Sequence, residues 1–155
     1  MTNLIRNGEF YEGEKDWSVS HPEHVKFNED DCKITSPGYI SQNIIFQSEA
    51  EEYALSARMK TASASTARVI LTLHPAGDEL ELALTDDPNW QVRTDWILAP
   101  AGTTGATVKL QTDGAIGVAA AQFGSLTLMS LETREAKNTL ERIVAWWRSL
   151  FGARG

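Results

Sequence analysis

The sequence predicts an all-β sandwich followed by one C-terminal amphipathic helix, and three observations carry the prediction. Turn residues punctuate the first 130 positions at short intervals: Asn7-Gly8, Glu12-Gly13, Pro37-Gly38, Pro75-Ala76-Gly77, Asp86-Asp87-Pro88-Asn89, Ala101-Gly102, Asp113-Gly114 and Gly117. The runs between them alternate apolar and polar residues or are β-branched, as strands with one buried face do. After Ser130 the apolar period changes from two to 3.6. The length of 155 residues suits a sandwich over residues 1–130 with an appended helical segment over 131–155.

The strands follow in order. Tyr53, Leu55, Ala57 and Met59 share one face of a run whose other face carries Ser56, Arg58 and Lys60. Runs over 67–74, 80–84, 90–98, 106–112 and 123–129 continue the series, with Leu80, Leu82 and Leu84, then Ala106, Val108 and Leu110, pointing inward. About eight strands are expected in all. The small polar segment 61–66 reads as a mobile loop.

The helix is predicted from about Glu132 to Phe151, with Gly152 as its stop. Ala136, Leu140, Ile143, Val144, Trp147 and Phe151 form its apolar stripe, Leu150 extends it and Trp146 lies beside it. Charge changes at the same boundary. Residues 1–131 carry nine basic and eighteen acidic groups, whereas 132–155 carry five basic and three acidic. Such a stripe suits self-association or a protein partner first, packing on its own sandwich second, and an interfacial membrane anchor third.

A net charge of -7 and a pI near 4.9 argue against a general binder of nucleic-acid backbones. No apolar run is long enough to span a membrane, and the N-terminus has no secretory signal pattern, so a cytoplasmic protein is expected, with release by a dedicated machine or lysis as the route outward. The single Cys32 admits no internal disulfide and has no paired His motif. No nucleophile elbow, phosphate loop or dinucleotide fingerprint is present, so a non-enzyme is expected.

The opening Asn3-Leu4-Ile5-Arg6-Asn7-Gly8-Glu9-Phe10, with Trp17 soon after, resembles the start of carbohydrate-binding modules with the galactose-binding-like jelly-roll fold. Ile40-Ser41-Gln42, Tyr53-Ala54-Leu55-Ser56-Ala57-Arg58, Trp90-Gln91-Val92 and Phe123-Gly124-Ser125-Leu126 resemble further motifs of that family, in its order, across residues 3–129. The resemblance implies a jelly-roll β-sandwich that binds glycans. It also implies that the family's structural calcium site is lost, because Tyr11 and Gly124 stand where carboxylates commonly help hold the ion. No other cofactor is expected.

Trp17 and Trp90 fall at framework positions of the family and are expected in the core, and Trp96 is expected inward by strand parity with Trp90, Val92 and Leu98. Tyr39, in the turn Ser36-Pro37-Gly38-Tyr39, is then the best exposed aromatic of the β domain. A ligand groove is expected from Tyr39 with the outward polar residues Arg58, Arg93, Gln111 and Gln122. His21-Pro22-Glu23-His24 and Asn28-Glu29-Asp30-Asp31 read as surface loops without metal spacing. The expected function is a lectin-like module whose helix assembles copies or docks it. The alternatives are an adaptor in a phage-tail-like or secretion assembly that binds a protein through the helix, and a membrane-active protein.

Overall fold

The computed structural model describes residues 2–131, 142–144 and 146. Ten strands are present among them: β1 (Ser18–Val19), β2 (Val25–Phe27), β3 (Cys32–Thr35), β4 (Tyr39–Ile45), β5 (Glu52–Thr61), β6 (Thr66–His74), β7 (Glu79–Thr85), β8 (Gln91–Leu98), β9 (Gly105–Asp113) and β10 (Ala120–Leu131). They form two five-stranded antiparallel sheets, ordered β1-β4-β9-β6-β7 and β2-β3-β10-β5-β8. The count exceeds the expected eight because β1, β2 and β3 are two to four residues long, too short to display a period of two in sequence.

The core lies between the sheets. Tyr53, Leu55, Ala57 and Met59 of β5 are buried with Val69 and Leu71 of β6 and Val108 and Leu110 of β9, on the faces their alternation predicts. Phe10, Trp17 and Phe27 stack as a tilted aromatic trio, with Phe10 at 5.5 Å from Trp17 and 5.9 Å from Phe27. The Trp17 indole N–H donates to the Asn7 carbonyl at 3.1 Å, so this ring is a core member with its polar atom satisfied.

The N-terminal segment binds to both sheets. The pairing of β10 with β5 slips between Gly124 and Thr127, where Ser125 adopts φ 49°. Leu126 lies in the slip and takes its partners from the N-terminus instead. Its N–H donates to the Gly8 carbonyl at 3.1 Å, and its carbonyl accepts from the Asn3 side-chain amide at 3.0 Å. Asn3 Oδ1 also accepts the N–H groups of Ile5 and Leu128. Gly8 is required here, because a Cβ at this position would collide with the Leu126 carbonyl. Toward the other sheet, Gln42 of β4 is 3% exposed, and its amide accepts from the Arg6 N–H at 2.9 Å and donates to the carbonyls of Arg6 and Asp16. The "N-L-x-x-N-G-x-F" and "I-S-Q" motifs thus carry a stitch, with Asn3, Gly8 and Gln42 as its contact points.

Two loops differ from expectation. The segment 61–66 is a pinned turn: Ser65 is 1% exposed, its Oγ accepts the Ala120 N–H at 3.0 Å, and Asp86 Oδ1 accepts the Ala64 N–H. Asp31 is buried rather than solvated, because Asn28 closes the β2–β3 turn on it, with Nδ2 donating to Asp31 Oδ1 at 2.6 Å. Of the predicted C-terminal helix, residues 142–144 and 146 are helical, with Ile143 and Trp146 exposed and Val144 half-buried. The remainder, including Leu140, Trp147, Leu150 and Phe151, lies outside the described residues. Among the described residues no helix is long and apolar enough to cross a membrane.

Replacing Gln42 by Leu keeps the side-chain volume but puts an apolar group against three part-buried backbone groups and removes the partner of each. The expected cost is about 3 kcal/mol, read as a lower urea midpoint at unchanged m-value. A midpoint equal to that of the native protein would show that the amide contributes nothing to joining the N-terminus to β4.

Candidate functional site

The outer face of the β1-β4-β9-β6-β7 sheet gathers hydrogen-bonding side chains on every long strand. Register sets them in rows. Tyr39 stands opposite Gln111, Gln111 opposite Arg68 and Arg68 opposite Ala83, while Asn43, Thr107, Thr72 and Glu79 form a parallel row four residues along. The alternation that buries Ile40, Val69, Val108 and Leu110 obliges these neighbours to face outward. Tyr39 is 37% exposed, and the ammonium of Lys109 lies 4.2 Å from its ring centroid.

These side chains hold one another in place. Arg68 is clamped between two carboxylates: Nη1 donates to Glu81 at 2.7 Å, and Nε donates to Asp113. Those bonds, Glu81 first, push the guanidinium pKa further above its ordinary value. Gln111 donates to the other oxygen of Asp113 at 2.9 Å. In the second row Thr107 Oγ1 donates to Asn43 Oδ1 at 2.8 Å and therefore accepts, at 2.8 Å, from His74 Nε2, which fixes that imidazole nitrogen as the protonated one. Thr72 donates to Glu79 at 3.1 Å. The result is a pre-set surface with one aromatic ring and two rows of donors and acceptors, suited to a polyhydroxylated ligand. Its carboxylates Glu81 and Asp113 are committed to positioning Arg68.

The five residues expected to share a groove do not. Tyr39 and Gln111 are adjacent on this face. Arg58 and Gln122 belong to β5 and β10 and project from the outer face of the opposite sheet. Arg93 lies on β8, exposed at that sheet's border. Sequence spacing reports which way each side chain points within its strand, but not which sheet receives the strand. Arg68, Lys109, Asp113 and His74 were detectable only as outward positions of strands flanking Tyr39.

Two tryptophans also depart from expectation. Trp90 is half-buried at the surface, with the Arg58 guanidinium carbon 3.9 Å and the Lys60 ammonium 4.8 Å from its ring centroid. Trp96 is 41% exposed on the outer face, with Val92 and Leu98 beside it. The register of β5 is decisive: Tyr53 pairs with Ile97, Leu55 with Asp95 and Ala57 with Arg93, so the odd-numbered residues of β8 take the inner side.

Tyr11 and Gly124, where the resemblance would place ligands to calcium, do not fit the ion. Tyr11 is 72% exposed and has no carboxylate, and a Cβ at Gly124 would meet Nη2 of Arg58 at 2.8 Å, placing a positive group there. His21 and His24 flank a single 3-10 turn with rings 5.9 Å apart, and among the described residues no group of three or more His, Cys, Asp or Glu is placed to hold a metal. Cys32 is fully buried on β3. Burial, and secondarily the Asp31 carboxylate, push its thiol up to about 12 from an ordinary value of 9.0. Iodoacetamide at pH 8 is therefore expected to leave Cys32 unmodified in the folded protein and to alkylate it in urea. Because the unfolded chain ionises its thiol first, stability should fall as pH rises above about 9. Rapid native alkylation followed by mass spectrometry would contradict this placement.

No protein-family model and no curated protein sequence matches the chain. Solved structures do. A family 61 carbohydrate-binding module in complex with β-1,4-galactotriose superposes with a TM-score of 0.65 at 14% identity, over 84% of this chain and 100% of the module. A family 16 carbohydrate-binding module gives 0.62 at 21% identity, over 83% and 100%. The enzymatically active domain of tailspike protein 4 from bacteriophage CBA120 gives 0.63 at 12% identity over 83% of this chain, which spans only 21% of that larger protein. The shared feature is the backbone frame of two packed antiparallel sheets. The chain has the jelly-roll β-sandwich fold of carbohydrate-binding modules.

Proposed function

We propose that the chain is a non-catalytic glycan-binding module whose binding face is the outer surface of the β1-β4-β9-β6-β7 sheet. The observation that carries this reading is the exposed Tyr39 ring in register with Gln111 and the clamped Arg68. A pyranose has an apolar C–H face that stacks on an aromatic ring and equatorial hydroxyls that need donors and acceptors around it. Tyr39 supplies the first, and Gln111, Lys109, Arg68, Asn43 and Thr107 supply the second. Rigid neighbours reduce the entropy lost on binding, as the Arg68 clamp and the His74-Thr107-Asn43 chain would. The likeness of the fold to modules solved with galactotriose and to xylan-binding domains supports a neutral β-linked polysaccharide as the ligand class.

The test is affinity electrophoresis and titration calorimetry with β-1,4-galactan, xylan and a β-glucan. Tyr39→Ala is expected to weaken binding at least tenfold, about 1.4 kcal/mol, without changing the circular dichroism spectrum. Equal binding by the native protein and Tyr39→Ala, or no binding to any neutral glycan, would sink the assignment of this face.

The C-terminal segment has a role in the same reading. Ile143 is 47% and Trp146 56% exposed, and apolar side chains presented on a helix are natural contacts between copies, which would raise the avidity of individually weak sugar sites. Light-scattering mass of the intact chain should then exceed that of the monomer and drop to it in Ile143→Glu/Trp146→Glu. A monomeric native protein would leave the helix to a foreign protein partner, the adaptor alternative.

A further inference from the structure

Residues 1–131 hold nine basic groups among eighteen acidic ones, yet four of the nine, Lys26, Lys33, Arg58 and Lys60, project from the outer face of the β2-β3-β10-β5-β8 sheet. Register draws them into a band. Lys26 stands opposite Lys33, Lys33 opposite Gln122 and Gln122 opposite Lys60, while Arg58 is one outward step along β5. Met59 pairs with Gln91, so Trp90 closes the band beside Lys60. With strands about 4.8 Å apart, Lys33 and Lys60 flank Gln122 at a Cα separation of about 10 Å. Among the described residues none of the four cations forms an ion pair.

Such an arrangement costs folding energy, since like charges directly opposite on neighbouring strands repel. Trp90 holds Arg58 and Lys60 over its ring, which orients them without cancelling their charge. The surface is also concave at this point: Lys33, Lys60 and Gln122 line an open cleft of about 200 Å³, with Ala62 and Pro88 on its wall. Asp31 lies at its margin, but it is occupied by Asn28 and Gln122, at 2.6 and 3.3 Å.

We infer that this cleft is a second binding site, for an anionic glycan whose carboxylate or sulfate groups are spaced along the chain. Lys33 and Lys60 take the anionic groups, Gln122 bonds the sugar hydroxyls between them, and the Ala62 and Pro88 wall bounds the apolar side of the ring. A nucleic acid fits less well. Between successive phosphates of a DNA strand the deoxyribose offers no free hydroxyl to Gln122, and the strand would have to pass Glu29 and Asp30, both exposed at the β2–β3 turn. The site is on the sheet opposite Tyr39 and does not depend on the neutral-glycan reading of that face.

The full-length chain is run in native gels containing polygalacturonate, a sulfated galactan or neutral galactan, and titrated with a single-stranded DNA oligonucleotide. Retardation by polygalacturonate identifies carboxylates as the anionic groups, and retardation by the sulfated chain identifies sulfates. Either is expected to fade as salt is raised above about 0.1 M. Lys33→Ala/Lys60→Ala should weaken the anionic interaction at least tenfold, whereas Lys33→Arg/Lys60→Arg should keep it, confirming that charge and not folding is read. Tyr39→Ala should leave it unchanged while affecting only the neutral galactan. The inference is overturned if neither anionic chain retards the protein, if the double alanine variant binds as the native does, or if the oligonucleotide binds more tightly than both polysaccharides.

Discussion

The slip in β10 between Gly124 and Thr127 is the constraint on which the rest of the sandwich depends. It breaks the ladder with β5 and leaves Leu126 without its regular strand partners, and a buried backbone group without a partner is costly. The N-terminal residues resolve this. Asn3 and Gly8 supply the hydrogen bonds that β5 cannot, and Gln42 fastens the same segment to the other sheet. A local irregularity in one strand is thereby converted into a covalent path of six residues tying the two sheets together. Phe10 and Trp17, which fill the adjacent core, are placed by this path.

With the frame closed in this way, the two outer faces are free to differ. On one, carboxylates and cations neutralise each other through the Arg68 clamp, and the surface left over is a mixture of donors, acceptors and one ring. On the other, cations stand side by side without carboxylate partners among the described residues, with the Trp90 ring under Arg58 and Lys60 and the Asp30 carbonyl accepting from Arg58. The same pleat generates both, because each strand that buries every second residue exposes the ones between. What separates the faces chemically is which strands lie next to one another.

That ordering is what the sequence hides. β5, β6 and β9 were legible because their alternation is long and regular, and Tyr39 could be picked out as an aromatic in a turn leading to a strand. Strand adjacency is not written in any single run. Arg58 and Gln122 therefore read as companions of Tyr39, although they point away from it on the opposite sheet. β8 misleads for a related reason. Its even-numbered residues Val92, Trp96 and Leu98 are the apolar ones, and alternation alone sends them inward, but pairing with β5 puts Arg93, Asp95 and Ile97 there instead. Ser65 shows a third limit. A small polar loop residue looks solvent-facing until a distant strand, here β10 at Ala120, supplies the N–H it caps.

The inversion of β8 bears on how closely copies can be crowded. β8 is a border strand, and a border strand with apolar residues on both sides is an invitation for another molecule to add itself to the sheet. Arg93 and Asp95 sit on its inner side, where an added strand would have to bury their charges. At the same border of the sandwich β7, the last strand of the other sheet, presents Glu79 and Glu81. Many molecules could therefore line up on one polymer at high local density without fusing through their strands into a growing fibre.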